Sequence, residues 1–285
     1  MNRSTNHKFP DIYNSTVAII GLGYVGLPLA IEIANNKKCH FSGKNISRKI
    51  IGYDINHIRI SQLKNNNDIT SEVSKTKLKN TNNIKYTSDI KDLYECDIYL
   101  ITVPTPIDLN NKPDLTLLKS ASKLIGECIG IRKSPNSPII IFESTVFPGA
   151  TEEICIPIIE KHSSLKIDTN DSSLNCKRFA CGYSPERVNP GDKKRKIPDI
   201  TKITSGSSKD SAKLIDLFYK TFIKAGTYPV ETIKVGEAAK VIENTQRDVN
   251  IALINELSKI FTLMNIDTND VLDAASSKWN FLRFK

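Results

Sequence analysis

Short runs of β-branched and apolar residues alternate with helix-length amphipathic stretches along most of the chain. The first run, 17–20, stops abruptly at Gly21, and a helical pattern follows at Leu27, Leu29, Ala30, Ile31, Ile33 and Ala34. Pro28 is tolerated in the first turn of that helix. A second strand is expected at 50–53 and a helix at 56–66. Further strands are expected at 84–87, 97–103 and 138–142, and helices at 115–131 and 150–161. Residues 179–183 read as another strand, 208–222 as an amphipathic helix and 227–230 as a short strand. From 235 to 264 there is no proline, and glycine occurs only at 236. This predicts one long helix, apolar around much of its circumference and therefore buried between larger bodies. A shorter helix is expected at 269–276. Strands separated by helix-length segments imply parallel crossovers. The expected fold is α/β, a Rossmann-like doubly wound, mainly parallel sheet followed by a long central helix.

Three strands end in unusual segments: after Gly21, after Val103 and after Phe142. Ligands of parallel sheets sit beyond the carboxyl ends of strands. The first segment, Gly21-Leu-Gly-Tyr-Val-Gly26, stands between strand and helix, as a dinucleotide-binding G-x-G-x-x-G does. Gly21 permits the turn, Gly23 lets a pyrophosphate approach the backbone and Gly26 lets helix and strand pack closely. The helix N-terminus would hold the phosphates. Alone, the motif is also compatible with a tight turn that binds nothing. Asp54 ends the second strand, where an acidic residue binds both adenosine ribose hydroxyls and favours NAD over NADP. It lies beyond the usual ~20 residues from the glycines, and an insertion around 39–49 accounts for the excess. The other reading of Asp54, a turn before Asn56, loses ground beside the glycines.

Composition narrows the picture. The apolar share of 39% and charged share of 25% are those of a soluble globular protein, and 285 residues can bury one large core or two modest ones. Residues 1–15 read as a polar arm rather than a signal peptide, and no apolar run is long enough to span a membrane. The net charge of +9 is scattered over loops and helix faces. Its one dense run, 192–196, has no interleaved aromatics and no accompanying nucleic-acid motif, so neither nucleic acid nor membrane is an expected partner. The six cysteines form no C-x-x-C pair and read as buried, reduced thiols of a cytoplasmic protein. No motif calls for a metal.

Six stretches together resemble the UDP-glucose/GDP-mannose dehydrogenase family. They are Gly21-Leu-Gly-Tyr-Val-Gly26, Tyr53-Asp-Ile-Asn56, Val103-Pro-Thr-Pro106, Glu143-Ser-Thr-Val-Phe-Pro-Gly149, Ser184-Pro-Glu-Arg-Val-Asn-Pro-Gly191 and Glu243-Asn-Thr-Gln-Arg-Asp-Val-Asn250. The last two, with Asp68-Ile-Thr-Ser-Glu-Val73, look most like bacterial UDP-N-acetyl-hexosamine 6-dehydrogenases of surface-polysaccharide synthesis. The resemblance implies oxidation of a sugar C6 alcohol to a carboxylate, with two NAD and a cysteine-bound intermediate. It divides the chain into the arm 1–15, an NAD-binding domain 16–232 and, at 233–285, the central helix opening a dimerisation or linker region. It puts the cofactor against Gly21, Gly23, Tyr24, Val25, Gly26, Asp54, Arg59, Val103, Pro104, Thr105, Glu143 and Thr145. It also implies that Glu186 assists hydrolysis of the intermediate and that Thr145 orients a water. Lys240 and Asn244 share one helix face at i, i+4, and in the family they meet the substrate oxygen. Arg187 has both a phosphate-binding and a plain surface reading.

One departure accompanies these matches. The family's nucleophilic cysteine follows a segment like Trp279-Asn280-Phe281, in a loop ahead of a UDP-binding domain, and neither is matched here. None of the six cysteines has a matching context; Cys181 sits mid-strand, where a small buried residue is expected. Two readings follow. The chain is an N-terminal portion of a nucleotide-sugar dehydrogenase, inactive alone, which takes a UDP-sugar and pairs through the central helix or with a missing C-terminal half. Alternatively, it is a non-catalytic NAD-binding module that pairs with a full-length relative.

Overall fold

The computed structural model of the chain describes residues 9–170, 177–186 and 196–281. Arg187, Cys176, most of the basic run 192–196 and the first eight residues of the arm lie outside them. The chain divides into a unit of residues 1–238 and a unit of residues 239–285.

The first unit begins with β1 (Thr16–Ile20) and α1 (Gly26–Asn35), followed by β2 (Lys49–Tyr53), α2 (His57–Lys64) and α3 (Lys75–Lys79). Next come β3 (Ile84–Thr87), β4 (Ile98–Ile101), α4 (Thr116–Gly130) and β5 (Ile139–Phe142). A π-helical turn at Thr151–Cys155 leads into α5 (Ile156–Ser163), then β6 (Lys166–Ile167), β7 (Arg178–Tyr183), β8 (Lys202–Gly206), α6 (Lys209–Lys220) and β9 (Thr227–Pro229). Among the described residues these strands form one sheet in the order β3-β2-β1-β4-β5-β7-β8-β9, with β6 beside β7. Every pairing is parallel except β7 with β8. The reversal of direction on either side of β1 creates a crevice at the strand tips, where such sheets take their ligands.

Strand alternation explains why both faces of this sheet are buried. In β1, Val17 and Ile19 join one core with Leu27, Ile31, Leu100, Ile141 and Phe218. Ala18 and Ile20 join the other, with Tyr99, Ile101, Ile125, Ile140 and Phe142. With helices on both sides, the strands read as continuous apolar runs. Truncating one of these buried aliphatics to alanine costs about 2–5 kcal/mol.

The expected elements are present with three instructive differences. β4 ends at Ile101, two residues early, because Pro104 cannot donate to a ladder; Thr102 N–H still reaches Ile20 O at 3.0 Å. The segment expected as a helix from 150 opens instead with the π-helical turn before α5. β8 was not expected as a strand, since Thr-Lys-Ile-Thr-Ser-Gly offers no apolar run. The long spacing to Asp54 arises from residues 36–48, which carry an antiparallel bridge between Lys38 and Asn45.

The helix α7 (Ile233–Leu263) crosses into the second unit, which also holds α8 (Thr268–Ala275). Asp267 caps α8 by accepting from Asn269 and Asp270 N–H. The long helix, expected to be buried between larger bodies, carries exposed apolar side chains in its second-unit part. Ile242, Val249, Ile251, Leu253 and Ile260 are all half exposed or more.

Candidate active site

The glycine turn is built by two constraints on the backbone. Gly21 adopts φ +94°, in the region that side chains rarely enter, and its N–H donates to Tyr53 O at 2.9 Å. Gly26 sits where a Cβ would come within 1.9 Å of Gly21 O and 2.4 Å of Thr102 Oγ1. Thr102 itself donates that hydroxyl to Gly21 O at 2.7 Å, which locks the turn onto the end of β4. Gly23 differs from both. A Cβ built there meets nothing within 4 Å, so this side of the turn is open to an approaching group.

Asp54 lies at the tip of the neighbouring strand. Its Oδ2 accepts from Leu22 N–H at 2.8 Å, and its Oδ1 accepts from Asn56 N–H at 2.9 Å. The turn before Asn56 is thus present, and each carboxylate oxygen keeps a further lone pair. Arg59 buttresses the same loop. Its Nε donates to Leu22 O at 2.9 Å, and Nη1 lies 2.8 Å from Asp68 Oδ1. Gly21, Gly23, Gly26, Asp54 and Arg59 thus converge at one end of the crevice.

At the other end two loops are stitched together. Ser144 Oγ donates to Val103 O at 2.6 Å, and Thr105 Oγ1 donates to Thr145 O at 2.6 Å. Pro104 and Thr145 are exposed. Beneath them the fully buried Glu237 accepts from Gly149 N–H at 2.6 Å and Thr151 N–H at 2.9 Å. These are orphan donors at a helix start, where an anion is also favoured by the helix dipole.

At the tips of β5 and β7, beside α1, lies a cleft with about 340 Å³ of space outside the protein atoms, open solvent included. Val25, Glu143, Glu186 and Lys202 are among its lining residues. Tyr24 stands near it: burial, and then the charge of Glu186, push its phenol above the ordinary value. Glu143 ends β5 as a buried carboxylate. Its Oε2 takes Lys202 Nζ at 2.5 Å, and its Oε1 accepts from the Tyr219 hydroxyl at 2.5 Å. Burial, and then Glu143's charge, raise the Tyr219 phenol well above its usual range, so it stays a donor.

Lys240 and Asn244 belong to the second unit. Lys240 Nζ lies 3.6 Å from Glu243 Oε2, three residues along the same helix. Cys39, Cys96, Cys128, Cys155 and Cys181 are all free and buried. Burial pushes Cys96 and Cys128 up to about 12 and Cys155 to about 11, and drives Cys181 well above its normal value. These four thiols carry almost no thiolate at neutral pH, whereas at Cys39 burial is outweighed by hydrogen bonds from Ser42 and Phe41, which lower the thiol.

Sequence reasoning missed Lys202, Tyr219 and Glu237. Lys202 sits in the strand that carried no apolar signal, and Tyr219 reads as one more core residue of α6. Glu237 precedes Lys240 by less than one turn, and only its full burial marks it.

The residues present fit a dinucleotide: an open backbone at Gly23, phosphate-side N–H groups at the start of α1, and a ribose acceptor at Asp54. Comparison with known proteins agrees. Residues 15–223 match the NAD binding domain of the UDP-glucose/GDP-mannose dehydrogenase family, and residues 234–284 match its central domain. The chain is 50% identical over 272 residues to protein CapL of Staphylococcus aureus, covering 95% of this chain and 58% of that one. It is likewise 50% identical over 269 residues to the UDP-N-acetyl-D-glucosamine 6-dehydrogenase of Salmonella typhi, covering 94% and 58%. Among solved structures, the UDP-D-ManNAc dehydrogenase of Pyrococcus horikoshii superposes with a TM-score of 0.76 at 27% identity, covering 94% of this chain and 59% of that one. The chain therefore spans less than two thirds of the length of these relatives.

Proposed function

The chain belongs to the UDP-glucose/GDP-mannose dehydrogenase family, and from that premise we propose that it is the cofactor-binding part of a UDP-N-acetyl-hexosamine 6-dehydrogenase. NAD is the cofactor of the matched domain. The observation that carries the reading is the pairing of an open backbone at Gly23 with the Asp54 carboxylate on the next strand. When bound, NAD supplies the hydride acceptor for an alcohol carbon.

The chain's own residues divide the remaining work. The first turn of α1 holds the pyrophosphate, and Asp54 accepts from the adenosine ribose hydroxyls. Glu143 and Val25 border the nicotinamide half. Glu186 lines the same cleft and is suited to take a proton from a water that Thr145 orients. Lys240 and Asn244 present a cation and an amide from one helix face, a pair suited to developing negative charge on a substrate oxygen.

The 285-residue chain by itself binds NAD without completing the oxidation. Support comes from the described thiols: Cys96, Cys128, Cys155 and Cys181 are buried and held protonated, so none of these four serves as the covalent nucleophile. Cys39, whose thiol is lowered, lies between the end of α1 and the start of β2, on the side of the sheet opposite the strand tips. Two copies pair through α7, whose half-exposed Ile242, Val249, Ile251, Leu253 and Ile260 offer an apolar surface. A cytoplasmic setting keeps the free thiols reduced. Calorimetric titration tests the first claim: saturable NAD binding is expected, and its absence at millimolar NAD refutes the reading. Incubation with NAD and UDP-N-acetylglucosamine tests the second. No NADH absorbance should develop, and turnover by the isolated chain would overturn the claim of incompleteness.

A further inference from the structure

The cleft at the tips of β5 and β7 contains a fixed arrangement of charge that seating a ring does not by itself require. Glu143, Glu186 and Lys202 all line it. Glu143 cannot swing away, because Lys202 Nζ and the Tyr219 hydroxyl each hold one of its oxygens at 2.5 Å. Lys202 Nζ also lies 5.2 Å from the centre of the Tyr219 ring. Relative exposures of 2% for Glu143, 7% for Lys202 and 0% for Tyr219 leave little water to screen the pair. A buried ion pair is a poor way to hold α6 against β5, since apolar side chains of similar volume do so at least as well. Its position on the wall of a ligand cleft points to a role toward the ligand.

A nicotinamide ring carries a positive charge when oxidised and none after it accepts a hydride, which brings two electrons and one proton. We propose that the Glu143–Lys202 ion pair, braced by Tyr219, sets the preference of this cleft between oxidised and reduced NAD, an inference that rests on the nicotinamide half being seated there. Glu143 favours the cationic ring and Lys202 opposes it. Together they keep the preference moderate, so that the reduced cofactor leaves and the oxidised one still exchanges. The two residues therefore act on the redox preference in opposite directions, although they are partners in one contact.

The test is the ratio of the NADH dissociation constant to that of NAD+, measured by calorimetry on the full chain. Glu143→Gln leaves the ammonium unopposed and should lower the ratio. Lys202→Met removes the cation and should raise it. The ratio in Lys202→Met is expected to exceed that in Glu143→Gln by tenfold or more, about 1.4 kcal/mol. A merely structural pair would weaken both redox forms alike in both variants, and a gap below tenfold overturns the proposal. If Glu143→Gln does not fold, the double variant Glu143→Gln/Lys202→Met, which leaves no lone ammonium, takes its place under the same criterion. Failure of the underlying reading is separately visible, because the wild-type chain would then bind neither form at millimolar concentration.

Discussion

Gly23→Ala and Gly26→Ala add the same methyl group three residues apart, and the geometry assigns them opposite consequences. At Gly26 the new Cβ would lie 1.9 Å from Gly21 O and 2.4 Å from Thr102 Oγ1. Real contacts to carbon are well over 3 Å, so the turn must move by more than 1 Å against backbone on one side and β4 on the other. Overpacking of this kind costs about 1–3 kcal/mol, and breaking the Thr102 hydroxyl bond to Gly21 O adds about 1 kcal/mol. At Gly23 no atom lies within 4 Å of the Cβ, so stability should change by less than about 0.5 kcal/mol. The methyl group would instead occupy the approach to the backbone and hold a pyrophosphate away from the N–H donors of α1. Loss of one charge-assisted bond of about 1.5–3 kcal/mol corresponds to a roughly 10- to 150-fold weaker NAD dissociation constant. Urea denaturation reads the first effect and calorimetric titration the second. Unchanged NAD affinity in a folded Gly23→Ala chain would refute the placement of the pyrophosphate, and a fully stable Gly26→Ala would refute the close approach.

Three other outcomes follow from the same geometry. Asp54→Ala should weaken NAD by about 10- to 100-fold, since it removes a charged acceptor of ribose hydroxyls and orphans Leu22 N–H; equal affinity by calorimetry would count against the ribose role. Burial alone would raise the Asp68 carboxyl, but hydrogen bonds from Thr70, Val73 and Arg59 outweigh it and hold it below its ordinary value. A lowered folded-state value stabilises above the unfolded value of about 4 and is lost as pH falls through the folded one. The stability gap between wild type and Asp68→Asn should therefore be constant from about pH 5 to 8 and close below about pH 4; a gap that widens on acidification contradicts this. Iodoacetamide at pH 8 should leave Cys96, Cys128, Cys155 and Cys181 unmodified in the folded chain. Mass-mapped labelling of any of them at the denatured rate would reopen it as a nucleophile.

Local physics made much of the chain legible in one dimension. The β1-glycine-α1 unit could be read because strand, turn and helix are consecutive, and each glycine's duty depends on atoms within a few residues or on the next strand. The place of Asp54 was readable too, because a short apolar run that stops at an acidic residue marks a strand end. The length of α7 followed from thirty residues without a proline, whereas its surroundings did not, because an apolar helix does not say what covers it.

Tertiary structure alone decided how charge is distributed in the cleft. Glu143 meets Lys202 from 59 positions away and Tyr219 from 76, while Glu237 reaches Gly149 across 88. No periodicity reports such pairs, because each partner occupies a position that pattern alone assigns to a strand edge or a core stripe. A buried charge is tolerated only where its counter-charge arrives, and that arrival depends on β8 running antiparallel beside β7. Local preferences thus determined where a dinucleotide can lie, and the packing of distant segments determined the field that its ring would meet.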